Sequence, residues 1–201
     1  ATFSQQKIDA IVKNVAEEAA RHAETLAKMA AEETGFGNWQ DKVLKNRFAS
    51  LHVYDAIKEM KTVGIIHDDQ VKKVMDVGVP LGVICALVPS TNPTSTVIYK
   101  TLIALKAGNA IIFSPHPGAR QCSWKAIEIV KRAAEAAGAP AGSVIVADHQ
   151  SAGRGRRGRP WLSAPEASLT FSLLWRFAGP PGRLAGLSLA VGVALARGLE
   201  G

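Results

Sequence analysis

The 201-residue chain is 47% hydrophobic and 20% charged, a globular composition that excludes a disordered polymer or a single charged helix. Its net charge of +7 admits anionic partners, and its two cysteines are too few for a disulfide scaffold. The longest uncharged apolar stretch, Leu184 to Ala196, is too short to cross a bilayer, and residues 1–33 alternate charge with alanine rather than forming a signal peptide.

Residues 5–33 are predicted to form one helix, because Ile8, Ile11, Val12, Val15, Ala19, His22, Leu26 and Met29 recur at steps of three or four. Gly35 is its expected stop. A second helix is expected from Asn38 to Met60, with Val43, Leu44, Phe48, Leu51 and Ile57 on its apolar side. Thr62 to Val77 reads as connecting structure with one short strand, and Asp68-Asp69 as a turn. Leu81 to Val88 is an uninterrupted apolar run, the pattern of a strand covered on both faces. Pro89 to Pro93 reads as a turn and Thr94 to Ala107 as a helix stopped by Gly108-Asn109. Ala110 to Phe113 is a second strand, Ser114 to Gly118 a second turn and Gln121 to Ala137 a second crossover helix. Ser143 to Ala147 is a third strand. Strand, helix, strand, helix, strand is the order of two parallel crossover units, so the fold class is α/β. Right-handed crossovers place both turns at the carboxyl edge of the sheet, where ligands bind in open α/β folds. Beyond Asp148 the periodicity stops. Gly153 to Arg159 reads as a loop, Ser168 to Phe177 as a strand and Leu184 to Leu199 as a helix.

Composition divides near Gly142. Residues 1–142 contain 13 Lys and 4 Arg, whereas residues 143–201 contain no Lys and 7 Arg. Glycine is twice as dense in the second part, with 9 in each part. One uniform history rarely partitions lysine so completely, so the chain is read as two regions, 1–142 and 143–201.

The first region resembles the CoA-acylating aldehyde dehydrogenases, above all the dehydrogenase half of bifunctional aldehyde–alcohol dehydrogenases. The likeness rests on Glu33-Thr-Gly-Phe-Gly37, Val79-Pro-Leu-Gly-Val-Ile84, Pro89-Ser-Thr-Asn-Pro93, Ala107-Gly-Asn-Ala-Ile-Ile112 and Pro115-His-Pro117. It implies a partial Rossmann-like parallel sheet behind N-terminal helices, with NAD and CoA as cofactors. By the resemblance, Pro89, Ser90, Thr91, Asn92 and Pro93 approach the nicotinamide side, and Ser114, Pro115, His116 and Pro117 the adenosine side. Helix N-termini at these strand ends are expected to offer unpaired N–H groups to anions. The family oxidises an aldehyde through a cysteine thiohemiacetal and passes the acyl group to CoA. Cys85, in an apolar strand, and Cys122, near a helix start, both lack the context of that nucleophile and read as inert.

The second region is similar to the catalytic core of biotin–protein ligases, and the fold is expected to continue into a truncated α+β segment of that type. The likeness rests on Val144-Ile-Val-Ala-Asp-His-Gln-Ser-Ala-Gly-Arg-Gly-Arg-Arg-Gly-Arg159 and Trp161-Leu-Ser163, continued by Ser168 to Arg176 and Leu187-Ser-Leu-Ala-Val-Gly192. It implies biotin and ATP as ligands. Gln150 and Gly153 then touch biotin. Arg154, Gly155, Arg156, Arg157, Gly158 and Arg159 form the loop over the adenylate, and Trp161 walls the site. Guanidinium groups pair bidentately with phosphate, which suits that role. The family's Ser-Thr-Asn segment stands close before its loop. Here Ser90-Thr91-Asn92 lies about 60 residues upstream, inside the other motif set. The family's Lys-Trp-Pro-Asn-Asp segment is not found.

The reading is therefore a chimera of two enzyme parts, with no catalytic residue and no metal site assigned. Its expected partners are small nucleotide ligands and a second copy of itself, with no membrane and only nonspecific attraction to nucleic acid. A cytoplasmic setting is expected. An enzyme completed by partner chains and a basic Arg/Gly nucleic-acid module are the alternatives.

Overall fold

The computed structural model describes residues 3–146. The expected loop at Gly153–Arg159, strand at Ser168–Phe177 and helix at Leu184–Leu199 lie outside these residues.

The first expected helix is two helices, α1 (Gln5–Arg21) and α2 (Ala23–Thr34). The break is at His22, whose backbone leaves the helical region at φ −95 and ψ 6. Its ring explains the break: Nδ1–H donates to the Glu18 carbonyl at 2.9 Å, the same oxygen that the His22 backbone N–H uses at 3.3 Å. Ser4 caps α1, and Gly35 ends α2 in the left-handed conformation at φ 67, as its position predicts.

The second expected helix is also divided, into α3 (Trp39–Arg47), a π turn (Phe48–His52) and α4 (Val53–Ile57). Its buried side is not the apolar one. Leu44 is 66% exposed and Phe48 62% exposed, while Lys42, Asn46, Ala49 and Ser50 are buried. Specific polar partners decide the orientation. Asn46 Nδ2 donates to the Ala23 carbonyl at 2.9 Å, and its Oδ1 accepts from Thr94 Oγ1 at 2.9 Å. Ser50 Oγ donates to the Asn46 carbonyl at 2.8 Å. A buried amide paired at both ends fixes a helix more sharply than apolar contact does.

Thr62 to Val77 is not connecting structure. It forms an antiparallel hairpin of β1 (Gly64–Asp69) and β2 (Val74–Gly78), with a bulge between Ile65 and His67. Asp69 serves the turn, its Oδ1 accepting from the Val71 and Lys72 N–H groups. The hairpin starts from a firm anchor: Gln5 Oε1 accepts from the Thr62 N–H at 2.8 Å and the Val63 N–H at 3.1 Å. Gly78 is required where the strand returns, because a Cβ there would lie 2.3 Å from the Thr62 carbonyl oxygen.

The parallel sheet is as expected: β3 (Val83–Val88), β4 (Ala110–Pro115) and β5 (Val144–Val146) in the order β3-β4-β5, all parallel. The crossovers are α5 (Pro93–Lys106) and α6 (Arg120–Ala136). Ile111, Phe113, Ala86, Val88 and Val144 are buried in one core with Val12 and Val15 of α1 and Ile98 and Leu102 of α5. The opposite face is less covered than the apolar run implies. Leu87 is 46% exposed, and Ile145 on the same face is exposed too. Among the described residues β3 is an edge strand, and Lys100 of α5 covers it by donating to the Leu87 carbonyl at 2.8 Å. Among the described residues no helix is long and apolar enough to cross a membrane.

One ion pair ties α1 to the end of α5. Lys106 is 3% exposed, and its Nζ reaches Asp9 Oδ1 at 2.6 Å and the Lys58 carbonyl at 2.8 Å. Two predictions follow from these buried polar groups. Asp9→Ala strands the Lys106 ammonium and is expected to cost about 3 kcal/mol, whereas Lys106→Met costs less, because water hydrates the Asp9 carboxylate left behind. Urea unfolding ranks the two variants, and the reverse order would contradict this account. Asn46→Leu adds apolar area yet removes the second donor to the Ala23 carbonyl and leaves the buried Thr94 hydroxyl without its acceptor. It is expected to lower stability by about 2 kcal/mol in the same measurement.

Candidate cofactor edge

The two predicted turns meet. The first leaves β3 and the second leaves β4, at adjacent carboxyl ends where Val88 pairs with Pro115. The His116 N–H donates to the Val88 carbonyl at 2.9 Å, so the turns are one backbone hydrogen bond apart. Pro89 and Thr91 are exposed, and Ser90 and Asn92 are half-buried. Pro93 is not part of the turn. It is the buried first residue of α5, where its fixed φ suits a helix start and its missing N–H is no loss. Ser114 and Pro115 likewise belong to β4, and Ser114 is buried. Their register with Leu87 and Val88 extends the strand past the apolar run. His116 and Pro117 stay exposed. His116 precedes a 3-10 turn (Pro117–Ala119), and its Nδ1 accepts from the Gly118 N–H at 3.0 Å.

The N-terminus of α6 differs from the expectation of open N–H groups. At α6 they are taken. Glu33, at the end of α2, accepts from the Gln121 N–H through Oε1 and from the Cys122 N–H through Oε2, both at 2.7 Å. A carboxylate from another helix has filled the anion position that a phosphate would use. At α5, Pro93 has no N–H, the Thr96 N–H makes the first helical bond to the Asn92 carbonyl, and no side chain caps the N–H groups between them.

Glu33 also settles the chemistry of Cys122. The thiol is fully buried, and its pKa is pushed up to about 12 by burial, then by the hydrogen bond and charge of Glu33. A helix N-terminus can activate a thiol, but not when a carboxylate already neutralises it. Burial raises the Cys85 thiol as well, against a smaller opposing pull from Lys100. Among the described residues no group of three or more His, Cys, Asp or Glu is arranged to hold a metal ion.

Two features escaped the sequence reading. Lys42 and Lys45, one turn apart on α3, both reach the first turn. Lys42 Nζ donates to the Thr91 carbonyl at 2.8 Å and Lys45 Nζ to Asn92 Oδ1 at 2.9 Å. Burial, then the neighbouring Lys45 charge, lowers the Lys42 pKa. The i, i+3 spacing was visible, but its target was not. The second feature is a groove of about 640 Å³ between α6 and β5, walled by Trp124, Ile127 and Ile145, with Gln121, Lys131 and the paired Lys125 and Glu128 at its polar side. The residues expected at a biotin site, Gln150, Gly153, Arg154, Gly155, Arg156, Arg157, Gly158, Arg159 and Trp161, lie outside the described residues.

Comparison with known proteins agrees with this fold. The model of the aldehyde dehydrogenase family matches residues 1–156, and that of the biotin/lipoate A/B protein ligase family matches residues 118–201. The bifunctional aldehyde-alcohol dehydrogenase of Escherichia coli is 50% identical over 140 residues, covering 70% of this chain and 16% of that one. The crystal structure of a probable aldehyde dehydrogenase from Listeria monocytogenes is 59% identical with a TM-score of 0.71, over 72% of this chain and 32% of that one. A Rhodopseudomonas palustris propionaldehyde dehydrogenase with bound propionyl-CoA is 32% identical with a TM-score of 0.58, over 72% of this chain and 32% of that one. An engineered glycolyl-CoA reductase with bound NADP+ is 31% identical with the same TM-score of 0.58, over 72% of this chain and 33% of that one. The chain thus spans 16% of the bifunctional enzyme and about a third of the solved structures. With residues 1–156 matching its model, the chain belongs to the aldehyde dehydrogenase family.

Proposed function

We propose that residues 1–142 are the cofactor-holding part of an acylating aldehyde dehydrogenase and that this part binds NAD(H) or CoA without catalysing the acylating reaction alone. The observation that carries the reading is the meeting of the two turns at one strand edge, through the His116 N–H and the Val88 carbonyl. Relatives that hold propionyl-CoA and NADP+ support it. The residues present fit a dinucleotide. The groove between α6 and β5 has the size of a small-molecule site, with an apolar wall for a flat ring and Lys131 for phosphate, while Lys125 is paired with Glu128 at 3.0 Å. Glu33 keeps the first backbone N–H groups of α6 out of phosphate binding, so a lysine side chain takes that role. In an intact enzyme of this kind the bound nicotinamide would supply the hydride acceptor. The chain's own residues hold and orient it: Ser90, Thr91 and Asn92 at the first turn, and His116 and Pro117 at the second.

Neither described cysteine is poised as a thiolate, which supports the non-catalytic reading. A second reading is favoured by the ligase-family match over residues 118–201: the region after Gly142 contributes biotin and adenylate affinity through Gln150 and the Arg154–Arg159 loop. On this view the chain is a chimera joined near Gly142, and a homo-oligomer in a cytoplasmic setting is its expected form.

Thermal unfolding tests both readings. NAD at about 100 times its dissociation constant is expected to stabilise the folded chain by roughly 2.7 kcal/mol. A cooperative melt unmoved by NAD or CoA would refute the cofactor reading, and biotin with ATP tests the ligase reading in the same way. Thiol chemistry gives a further prediction. At pH 8 iodoacetamide is expected to alkylate Cys122 about a hundredfold or more slowly in the native chain than in urea, because the thiolate fraction collapses as the pKa rises. Comparable rates in the two states would contradict the buried, Glu33-shielded thiol.

A further inference from the structure

Asn92 stands at the N-cap of α5, a position that asparagine commonly fills by bonding the helix N–H groups with its side chain. Here the side chain caps nothing, and the backbone sits at φ −140 and ψ 60. Its Oδ1 accepts instead from Lys45 Nζ at 2.9 Å. An ammonium can only donate. The carboxamide oxygen must therefore face Lys45, and the two N–H donors on Nδ2 face away from it. No residue among those described accepts from them. The neighbouring residue is held in the same way, since Lys42 Nζ donates to the Thr91 carbonyl at 2.8 Å. Lys42 is 5% exposed, so it anchors the turn from inside, while exposed Lys45 sets the amide at the surface. Both lysines, Thr91 and Asn92 line one cavity of about 200 Å³, which Asn38 and Asp41 also border. Asp41 Oδ2 accepts from Asn38 Nδ2 at 2.8 Å, and no hydrogen bond joins Asp41 to the Asn92 amide.

We propose that Lys45 is a positioning residue: it fixes the Asn92 carboxamide so that Nδ2 presents its N–H donors to an oxygen of the nucleotide ligand at the first turn. The proposal rests on the cofactor reading given above. It assigns Lys45 no contact with the ligand. It also separates Lys45 from an ordinary surface contact, which would do little for stability and nothing for binding.

The test uses the full chain, with NAD+ as the probe. The Asn92 side-chain amide pair is found in a nitrogen–proton correlation spectrum by its loss in Asn92→Ala. In Lys45→Met the pair is expected to move, and in Lys45→Arg, which keeps a donor-only cation, to stay near its original place. The melting temperature of the unliganded Lys45→Met chain is expected to match the parent. NAD+ titration by calorimetry is expected to weaken about tenfold in Lys45→Met, the scale of one hydrogen bond to a charged group, and to recover in Lys45→Arg. Lys45→Met with Asn92→Ala should bind no worse than Asn92→Ala alone, because one residue acts through the other. An unmoved amide pair in Lys45→Met, or losses that add in the double variant, would overturn the proposal. If the parent chain binds no NAD+ while the amide pair still responds to Lys45, the cofactor reading and the ligand step fail, and the orientation of Asn92 by Lys45 stands.

Discussion

A parallel strand cannot return to its neighbour through a tight turn, and the rest of the molecule follows from that constraint. From the end of β3 the chain must travel back along the sheet before β4 can begin, and α5 is that return path. From β4 to β5 the path is α6. The strand order β3-β4-β5 advances in one direction, so crossovers of one hand place both helices on the same face. That face carries Ala86, Val88, Ile111, Phe113 and Val144, buried against α5, α6 and the α1 residues Val12 and Val15. Both strand-to-helix turns then fall at one edge. The candidate site is thus a consequence of strand direction before it is a matter of side chains.

Polar residues then determine how the helices sit on this sheet. Asn46 ties the start of α2 to α5 through the Ala23 carbonyl and Thr94 hydroxyl. Lys106 ties α5 to α1 through Asp9. Glu33 ties α2 to α6 at its first turn. Each spans 23 residues or more along the chain. Among the described residues no buried side-chain nitrogen or oxygen lacks a partner, so these contacts cost little desolvation that is not recovered. The apolar core supplies the driving force for collapse. The paired polar groups choose which of several compact arrangements results.

This division explains what the sequence disclosed. The parallel sheet and its crossovers were legible because apolar runs, glycine stops and polar turns recur in one order, and Gly35 and Gly108 stop helices in the left-handed conformation where expected. Hydrophobic periodicity failed on α3 and the π turn. Leu44 and Phe48 looked like a core stripe, but Asn46 has partners 23 and 48 residues away that no local pattern announces. The break at His22 escaped for a similar reason: a ring nitrogen competing for one carbonyl leaves no mark in periodicity. The edge of the candidate site was legible in Pro89–Pro93 and His116. Lys42 and Lys45 were not, because a lysine pair on a helix reads as solvated surface until its target is known.

The strand at the proposed junction joins both parts of the reading. The two family matches overlap over residues 118–156, which contain all of α6 and β5. β5 begins just after Gly142, where the residues start to resemble a biotin ligase, yet it pairs in register with β4: Ile111 with Val144, Ile112 with Ile145 and Phe113 with Val146. Val144 is buried in the dehydrogenase core. A strand in a parallel sheet needs little more than β-branched residues and a backbone to pair with. Val144-Ile-Val146 meets that need whatever its source. An exchange at this strand therefore leaves the turns at β3 and β4 in place, since their positions depend on β3, β4, α5 and the Glu33 contact. It alters the far wall of the groove beside α6, where Ile145 stands against Trp124 and Lys125. The first turn, with Asn92 and Lys45, is insulated from such an exchange, and the groove is the part of the cofactor edge most exposed to it.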